Sequence, residues 1–347
     1  MECGAGRVGS AAGLDEHSSN SEFRVQNAAR GGRGRIGRWA PVCYSRTMAR
    51  RLLSVAALSL LAASTSFAQA PTAPPSFISA SSLAAEQMNP KLVLLHVGDK
   101  EAYAKEHIPG AHFVDLSMIT TANPPRQNEL PAPADLEAKL EALGISDDSR
   151  IVVYFGNAEF PLATRVAFTL DYAGLGARTS ILDGGLDAWV EAGNGISSEA
   201  VAAPRPGSLT IKPREGATVD LAAVRAGLDA PAAHVLDARP VESYTGADDR
   251  GGAIKRPGHI PGAVNLPYSS FFNADKTVKS ADELKKMFAA AGFTPGQPVV
   301  SYCTSGVQAT VPVVVGRMLG YDVKLFDGSY QEWSASDAPV VKAATPR

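Results

Sequence analysis

His107-Ile108-Pro109-Gly110-Ala111 returns unchanged as His259-Ile260-Pro261-Gly262-Ala263. Other segments recur in the same order. Leu182-Asp183-Gly184-Gly185 with Trp189 is echoed by Phe326-Asp327-Gly328-Ser329 with Trp333. Between these lie Val152-Val153-Tyr154-Phe155-Gly156 and Val299-Val300-Ser301-Tyr302-Cys303, an alignment that sets Gly156 opposite Cys303. A spacing of about 145–150 residues is too long for a solenoid and denotes duplicated domains. The stretch from Gly193 to Gly216, rich in Ala, Pro, Gly and Ser, reads as the linker between them. A length of 347 residues accommodates two domains of ordinary size.

Within each half, short apolar runs alternate with helical periodicity. The second half offers a strand at His234 to Leu236, then Ser280-x-x-Glu283 as a capping box opening a helix with Leu284, Met287, Phe288 and Ala291 on one face. Strand Val299 to Tyr302, helix Ala309 to Leu319 and strand Val323 to Phe326 follow. The first half offers Leu92 to Val97, a helix carrying Leu136, Leu140 and Leu143, then Ile151 to Tyr154 and Thr179 to Leu182. This alternation predicts an α/β fold with a mostly parallel sheet in each half, and ligands bind beyond the carboxyl ends of such strands.

Composition sets the class. The chain is 45% hydrophobic and 20% charged, which is globular, and its net charge of −2 leaves no footprint for nucleic acid. The first 68 residues depart from the rest. Met48-Ala49-Arg50-Arg51, the apolar run Leu52 to Ala63 and the small residues ending at Ala68 read as a signal peptide over 48–68, cleaved after Ala68. The apolar run is too short for a membrane span, so none is expected after cleavage. The expected location is periplasmic or secreted. Residues 1–47 carry no apolar periodicity and read as a non-native upstream extension ahead of the start at Met48. Gly32, Gly34 and Gly37 match a dinucleotide fingerprint there, but no strand precedes them. Of the 33 basic residues nine lie in the leader, and of the 35 acidic four, leaving a net of −7. Cys3 and Cys43 leave with it, so Cys303 is the one cysteine of the mature chain and no internal disulfide can form.

Cys303 follows the strand Val299 to Tyr302, and Thr304-Ser305-Gly306-Val307-Gln308 leads to the next helix. A lone cysteine is by type more often a small buried hydrophobe. A short strand-to-helix loop with a glycine, however, can curl its N–H groups around the sulfur, and the helix N-terminus adds a positive dipole end. Both favour the thiolate, which is the nucleophile.

Taken together, the duplicated His-Ile-Pro-Gly-Ala segments, Asp237-Ala238-Arg239, the loop Cys303 to Ala309 and Phe326-Asp327-Gly328-Ser329 with Trp333 resemble the tandem-domain rhodaneses, the thiosulfate and 3-mercaptopyruvate sulfurtransferases. The resemblance covers residues 76–343. It implies two tandem rhodanese-like domains, each a mostly parallel sheet flanked by helices: an inactive one over 76–200 and a catalytic one over 217–343. It implies that Cys303 accepts a sulfane sulfur from a small anionic donor, becomes a persulfide, and passes the sulfur to cyanide or a thiol, with no metal or organic cofactor. Thr304 and Ser305 resemble the neutral loop of the mercaptopyruvate type, in which the serine is linked to a histidine and an aspartate of the first domain; His107 and Asp99 are the matching residues. Arg239 corresponds to the family's donor-holding arginine, with Arg250 a second candidate. Arg239 could instead pair with Asp237, and Arg250 could simply be solvated. The loop residues Thr304, Gly306, Val307 and Gln308 complete the expected donor site. A Cys-x5-Arg phosphatase loop is excluded, since no arginine lies between Cys303 and Arg317. The competing function is a non-enzymatic periplasmic persulfide carrier serving a protein partner.

Overall fold

The computed structural model describes residues 73–156, 160–228, 234–343 and 345–346. The proposed extension and signal peptide lie outside the described residues. The first domain runs β1 Ser76–Ile78, α1 Ala80–Glu86, β2 Leu92–Val97, α2 Lys100–Lys105, β3 His112–Val114, β4 Thr121–Asn123, β5 Arg126–Glu129, α3 Pro133–Ala142, β6 Arg150–Phe155, α4 Phe160–Tyr172, β7 Thr179–Leu182 and α5 Gly185–Glu191. The second runs β8 Thr218–Val219, α6 Leu221–Leu228, β9 His234–Asp237, α7 Val241–Thr245, β10 Val264–Asn265, α8 Ala281–Ala290, β11 Pro298–Tyr302, α9 Thr310–Met318, β12 Asp322–Phe326 and α10 Ser329–Ala335.

Each domain holds a five-stranded sheet whose strand pairings are all parallel, ordered β1-β7-β6-β2-β3 in the first and β8-β12-β11-β9-β10 in the second. The two orders correspond strand for strand. The capping box at α8 forms as its residue types predict, with Ser280 accepting from Glu283 N–H and Glu283 accepting in return.

The repeated pentapeptide builds the same turn twice. Gly110 and Gly262 sit at φ of 80° and 77°, a region open to glycine. The His107 ring lies against Tyr103 with Nδ1 2.8 Å from its carbonyl, and His259 lies against Tyr244 with the same contact at 2.9 Å. Ile108 N–H donates to the Tyr154 hydroxyl at 3.0 Å, and Ile260 N–H to the Tyr302 hydroxyl at 3.2 Å. The indole N–H groups of Trp189 and Trp333 donate to Gly195 and Pro339 carbonyls at 2.9 Å each.

These pairs correct the sequence alignment by one residue. Tyr154 corresponds to Tyr302, so Phe155, not Gly156, occupies the place of Cys303. Sheet register agrees: Tyr154 pairs with His96 on β2 as Tyr302 pairs with Asp237 on β9. Matching runs of small and apolar residues can slide by one position in an alignment, whereas hydrogen-bond register cannot.

The domains share a core through α4 and α9. Both helices are apolar nearly all round and buried along most of their length, as expected where a helix is covered on every side. Thr164 and Thr310 satisfy each other across this contact with hydroxyls 2.8 Å apart. The linker is strapped to the first domain: Leu209 and Ile211 N–H donate to the carboxylates of Glu141 and Glu137 at 2.9 Å each. Among the described residues no helix is long and apolar enough to cross a membrane.

Candidate active site

Strand β11 ends at Tyr302, and Cys303 opens the loop at the carboxyl end of the sheet. The start of α10 holds this loop in place. Cys303 N–H donates to Ser329 Oγ at 3.3 Å, the Cys303 carbonyl accepts from Tyr330 N–H at 2.9 Å, and the Thr304 carbonyl accepts from Gln331 N–H at 3.0 Å. Gly306 adopts φ +80°, and a Cβ there would fall 2.7 Å from the Asp327 carbonyl oxygen. Only glycine fits, both for its backbone angle and for that close approach.

Under the loop lies an ion pair that joins the two domains. Arg165 on α4 is fully buried; its Nη1 donates to the Gly306 carbonyl at 3.0 Å and to Asp327 Oδ1 at 2.5 Å. Asp327 Oδ2 also accepts from Leu130 N–H, just after β5, at 2.8 Å. Asp327 thus ties loop, helix and hairpin together.

Cys303 is a free thiol, 1% exposed, that lines a cavity of about 1030 Å³ between the domains. Thr304, Ser305, Val307 and Gln308 line it as well, while Gly306 serves beneath. The first domain supplies Phe155 from the end of β6, Phe160 and Leu162 from the start of α4, and Gln127 and Asn128 from the β4–β5 hairpin. Arg250, Lys255 and Lys276 are its charged lining residues, and among the described residues no carboxylate lines it. Lys276 also pairs with Asp187 at 2.6 Å.

Arg239 is not among the lining residues. It is 1% exposed, with Nε and Nη2 on the Asp237 carboxylate at 2.9 and 2.6 Å, Nη2 on the Gly258 carbonyl at 2.8 Å, and its guanidinium 3.9 Å over the Tyr330 ring. Burial opposes its charge, but the adjacent Asp237 more than offsets this and holds the guanidinium above its ordinary range. The Tyr302 hydroxyl donates to the same carboxylate at 2.5 Å, and burial together with that carboxylate pushes it well above the usual phenol range. The donor-holding role expected of Arg239 is therefore corrected: its Nε and Nη2 donors are taken by protein groups in the core, and it does not line the cavity. Arg250 does line the cavity, exposed and at φ 55°.

The expected link from Ser305 through His107 to Asp99 is not assembled. Asp99 is exposed and caps α2, accepting from Ala102 N–H at 2.7 Å. His107 is buried in its turn, in the same contacts as His259, and neither His107 nor Asp99 lines the cavity. The contact that reaches Ser305 from the first domain is instead Asn128, whose amide nitrogen stands 3.4 Å from Ser305 Oγ and 3.5 Å from its carbonyl oxygen. Sequence reasoning missed Asn128, Lys255, Lys276 and Arg165. Of these only Arg165 had a signal, as a lone cation inside the apolar stretch Phe160 to Leu170.

Residues 79–192 and 220–336 each match the family model described as Rhodanese-like domain. The chain belongs to the rhodanese family. The 3-mercaptopyruvate sulfurtransferase of Escherichia coli (strain K12) is 31% identical to it over 242 residues, covering 69% of this chain and 85% of that protein. The thiosulfate sulfurtransferase of Pseudomonas aeruginosa is 31% identical over 268 residues, covering 77% and 97% respectively. The crystal structure of SseA from Escherichia coli, a 3-mercaptopyruvate sulfotransferase with the rhodanese fold, superimposes with a TM-score of 0.65 at 28% identity, covering 74% of this chain and 98% of that one. This rhodanese is accordingly of the sulfurtransferase class, with two rhodanese-like domains in tandem.

Proposed function

We propose that this rhodanese moves sulfane sulfur from a small anionic donor, through a persulfide on Cys303, to cyanide or a thiol. The carrying observation is a nucleophilic side chain in a cavity whose charged lining is Arg250, Lys255 and Lys276, with no carboxylate among the described lining residues. Such a cavity attracts anions and holds them near the sulfur. With thiosulfate, the Cys303 thiolate attacks the outer sulfur, an S–S bond forms, and sulfite leaves with the electron pair of the broken bond. The acceptor then attacks the terminal sulfur and Cys303 departs as thiolate. Sulfur is transferred with no outside oxidant or reductant.

Thiosulfate and 3-mercaptopyruvate place different demands on the protein. Sulfite leaves as a stable anion, whereas pyruvate leaves as an enolate that must gain a proton. No histidine or carboxylate lines the described cavity, which favours thiosulfate; the neutral Thr304 and Ser305 support mercaptopyruvate through the family resemblance. The second reading is a persulfide carrier for a protein partner, favoured by a cavity larger than either small donor needs. The basic, apolar and small-residue pattern of 48–68 supports action after export.

Intact mass of the protein after incubation with each donor tests the proposal. One added sulfur is expected on the wild type and none on Cys303→Ala. Multiple turnovers with cyanide would support the enzyme over the carrier, and an unmodified wild type after both donors would overturn both.

A further inference from the structure

The β4–β5 hairpin reaches from the first domain onto the loop of the second, and several contacts fix it there. Arg126 stands 3.1 Å from Glu129 on its own strand and 3.7 Å from Glu332 on α10. The Gln331 carboxamide, turned to satisfy both of its groups, donates to the Pro125 carbonyl at 3.2 Å and accepts from Gln127 N–H at 2.8 Å. Leu130 N–H is held by Asp327. Within this strapped segment Asn128 takes φ 57°, a left-handed conformation that asparagine tolerates better than most residues. Its carboxamide nitrogen then lies beside Ser305 Oγ, and both residues line the cavity with Cys303.

We propose that Asn128 is a positioning residue which orients the Ser305 hydroxyl and thereby sets the donor preference toward species whose leaving group departs without a proton. This rests on the persulfide reading above. An amide nitrogen is only a donor, so Ser305 Oγ must accept in that contact. Its own hydrogen is left to point into the cavity, toward an oxygen of the bound donor or its leaving anion. A neutral amide cannot relay a proton, so the serine serves as a fixed hydrogen-bond donor and not as part of an acid–base chain. That suits thiosulfate and gives no help to an enolate.

Two substitutions on the full chain separate positioning from architecture. Asn128→Gly keeps the left-handed backbone without strain and removes only the carboxamide. It should lower kcat for thiosulfate about tenfold, of the order of one lost orienting hydrogen bond, while KM moves less than about threefold. Asn128→Asp keeps the shape and places a carboxylate in the cleft. KM for thiosulfate should then rise about tenfold at pH 8 and low salt, with the increase shrinking as ionic strength rises. The groups that face it are Arg250, Lys255, Lys276, Tyr268 and Cys303 in the cavity, Arg126, Glu129 and Glu332 beside the hairpin, and Asp327 and Arg165 beneath the loop. Those groups remain in both proteins, so the salt profile is read as the difference from wild type.

Sulfur loading of wild-type Cys303, with a higher kcat/KM for thiosulfate than for 3-mercaptopyruvate and both variant effects, supports the proposal. Wild type that loads normally while both variants keep its kcat and KM overturns the role of Asn128 alone. A wild type that prefers mercaptopyruvate tenfold also overturns it. Wild type that takes no sulfur from either donor overturns this proposal together with the reading on which it rests.

Discussion

The Arg165 guanidinium on α4 of the first domain donates to the Gly306 carbonyl in the cysteine loop of the second domain at 3.0 Å. The same nitrogen pairs with Asp327, which also holds Leu130. The domain without a cysteine is therefore part of the site: its helix supports the loop from below and its hairpin forms one wall.

Arg165→Met should be strongly destabilising. It strands the Asp327 carboxylate under the loop, and breaking a buried pair from one side costs about 3–5 kcal/mol. Thermal unfolding checks this, and adding Asp327→Asn should recover part of the loss, since the two side chains are directly coupled. Equal Tm values for wild type and Arg165→Met would contradict the clamp.

Arg239 and Arg250 should separate by the kind of loss they cause. Arg239→Met leaves Asp237 buried without its partner and should cost several kcal/mol of stability, of the order found for broken buried pairs, with little change in donor KM in whatever protein folds. Arg250→Ala should leave the melting temperature nearly unchanged. It should raise donor KM at low salt, about threefold to tenfold, with the difference shrinking as ionic strength rises. Donor KM against salt concentration, measured beside Tm, distinguishes the two arginines.

Stability should fall on acidification through His96. Its ring is buried on β2 with both nitrogens unpartnered, and burial first, then the nearby His107, lowers it to about 4. An unfolded histidine titrates near 6.5, so between those values the unfolded chain binds a proton that the folded one refuses. Stability is complete above about pH 6.5, declines as pH drops toward 4, and levels below that, a loss of up to about 3 kcal/mol from this group. Urea unfolding at pH 7 and pH 5 tests it, and His96→Phe should flatten that part of the curve.

Gly156→Ala should destabilise the first domain. A Cβ there would stand 2.9 Å from His96 Nε2 and 3.1 Å from Cε1, and the buried ring has little room to retreat. Overpacking of this kind costs about 1–3 kcal/mol, read as a drop in Tm.

Much of the architecture was legible in the residues. Periodicity located the β2, β7 and β11 segments to within a residue, and Ser280 and Glu283 announced the start of α8. Cys303 stood out because a strand, a glycine-containing loop and a helix succeed one another around it. The roles of Arg239, His107 and Asp99 were not legible, because a residue type beside a motif does not say which way its side chain turns. Arg239 meets its partner only two residues away, and Asp99 meets the N–H groups of the helix it caps.

What the sequence by itself determined is the set of local choices: the duplicated turn, the strand–helix alternation, and Cys303 in its strand-to-helix loop. These depend on neighbours along the chain, where spacing and backbone preference suffice. The tertiary structure alone decided the register that puts Phe155 in the cysteine's place, the Arg165–Asp327 support, and the approach of Asn128 to Ser305 across 177 residues. Those contacts join segments from both domains, and their geometry exists only once α4 and α9 have packed and carried the hairpin onto the loop.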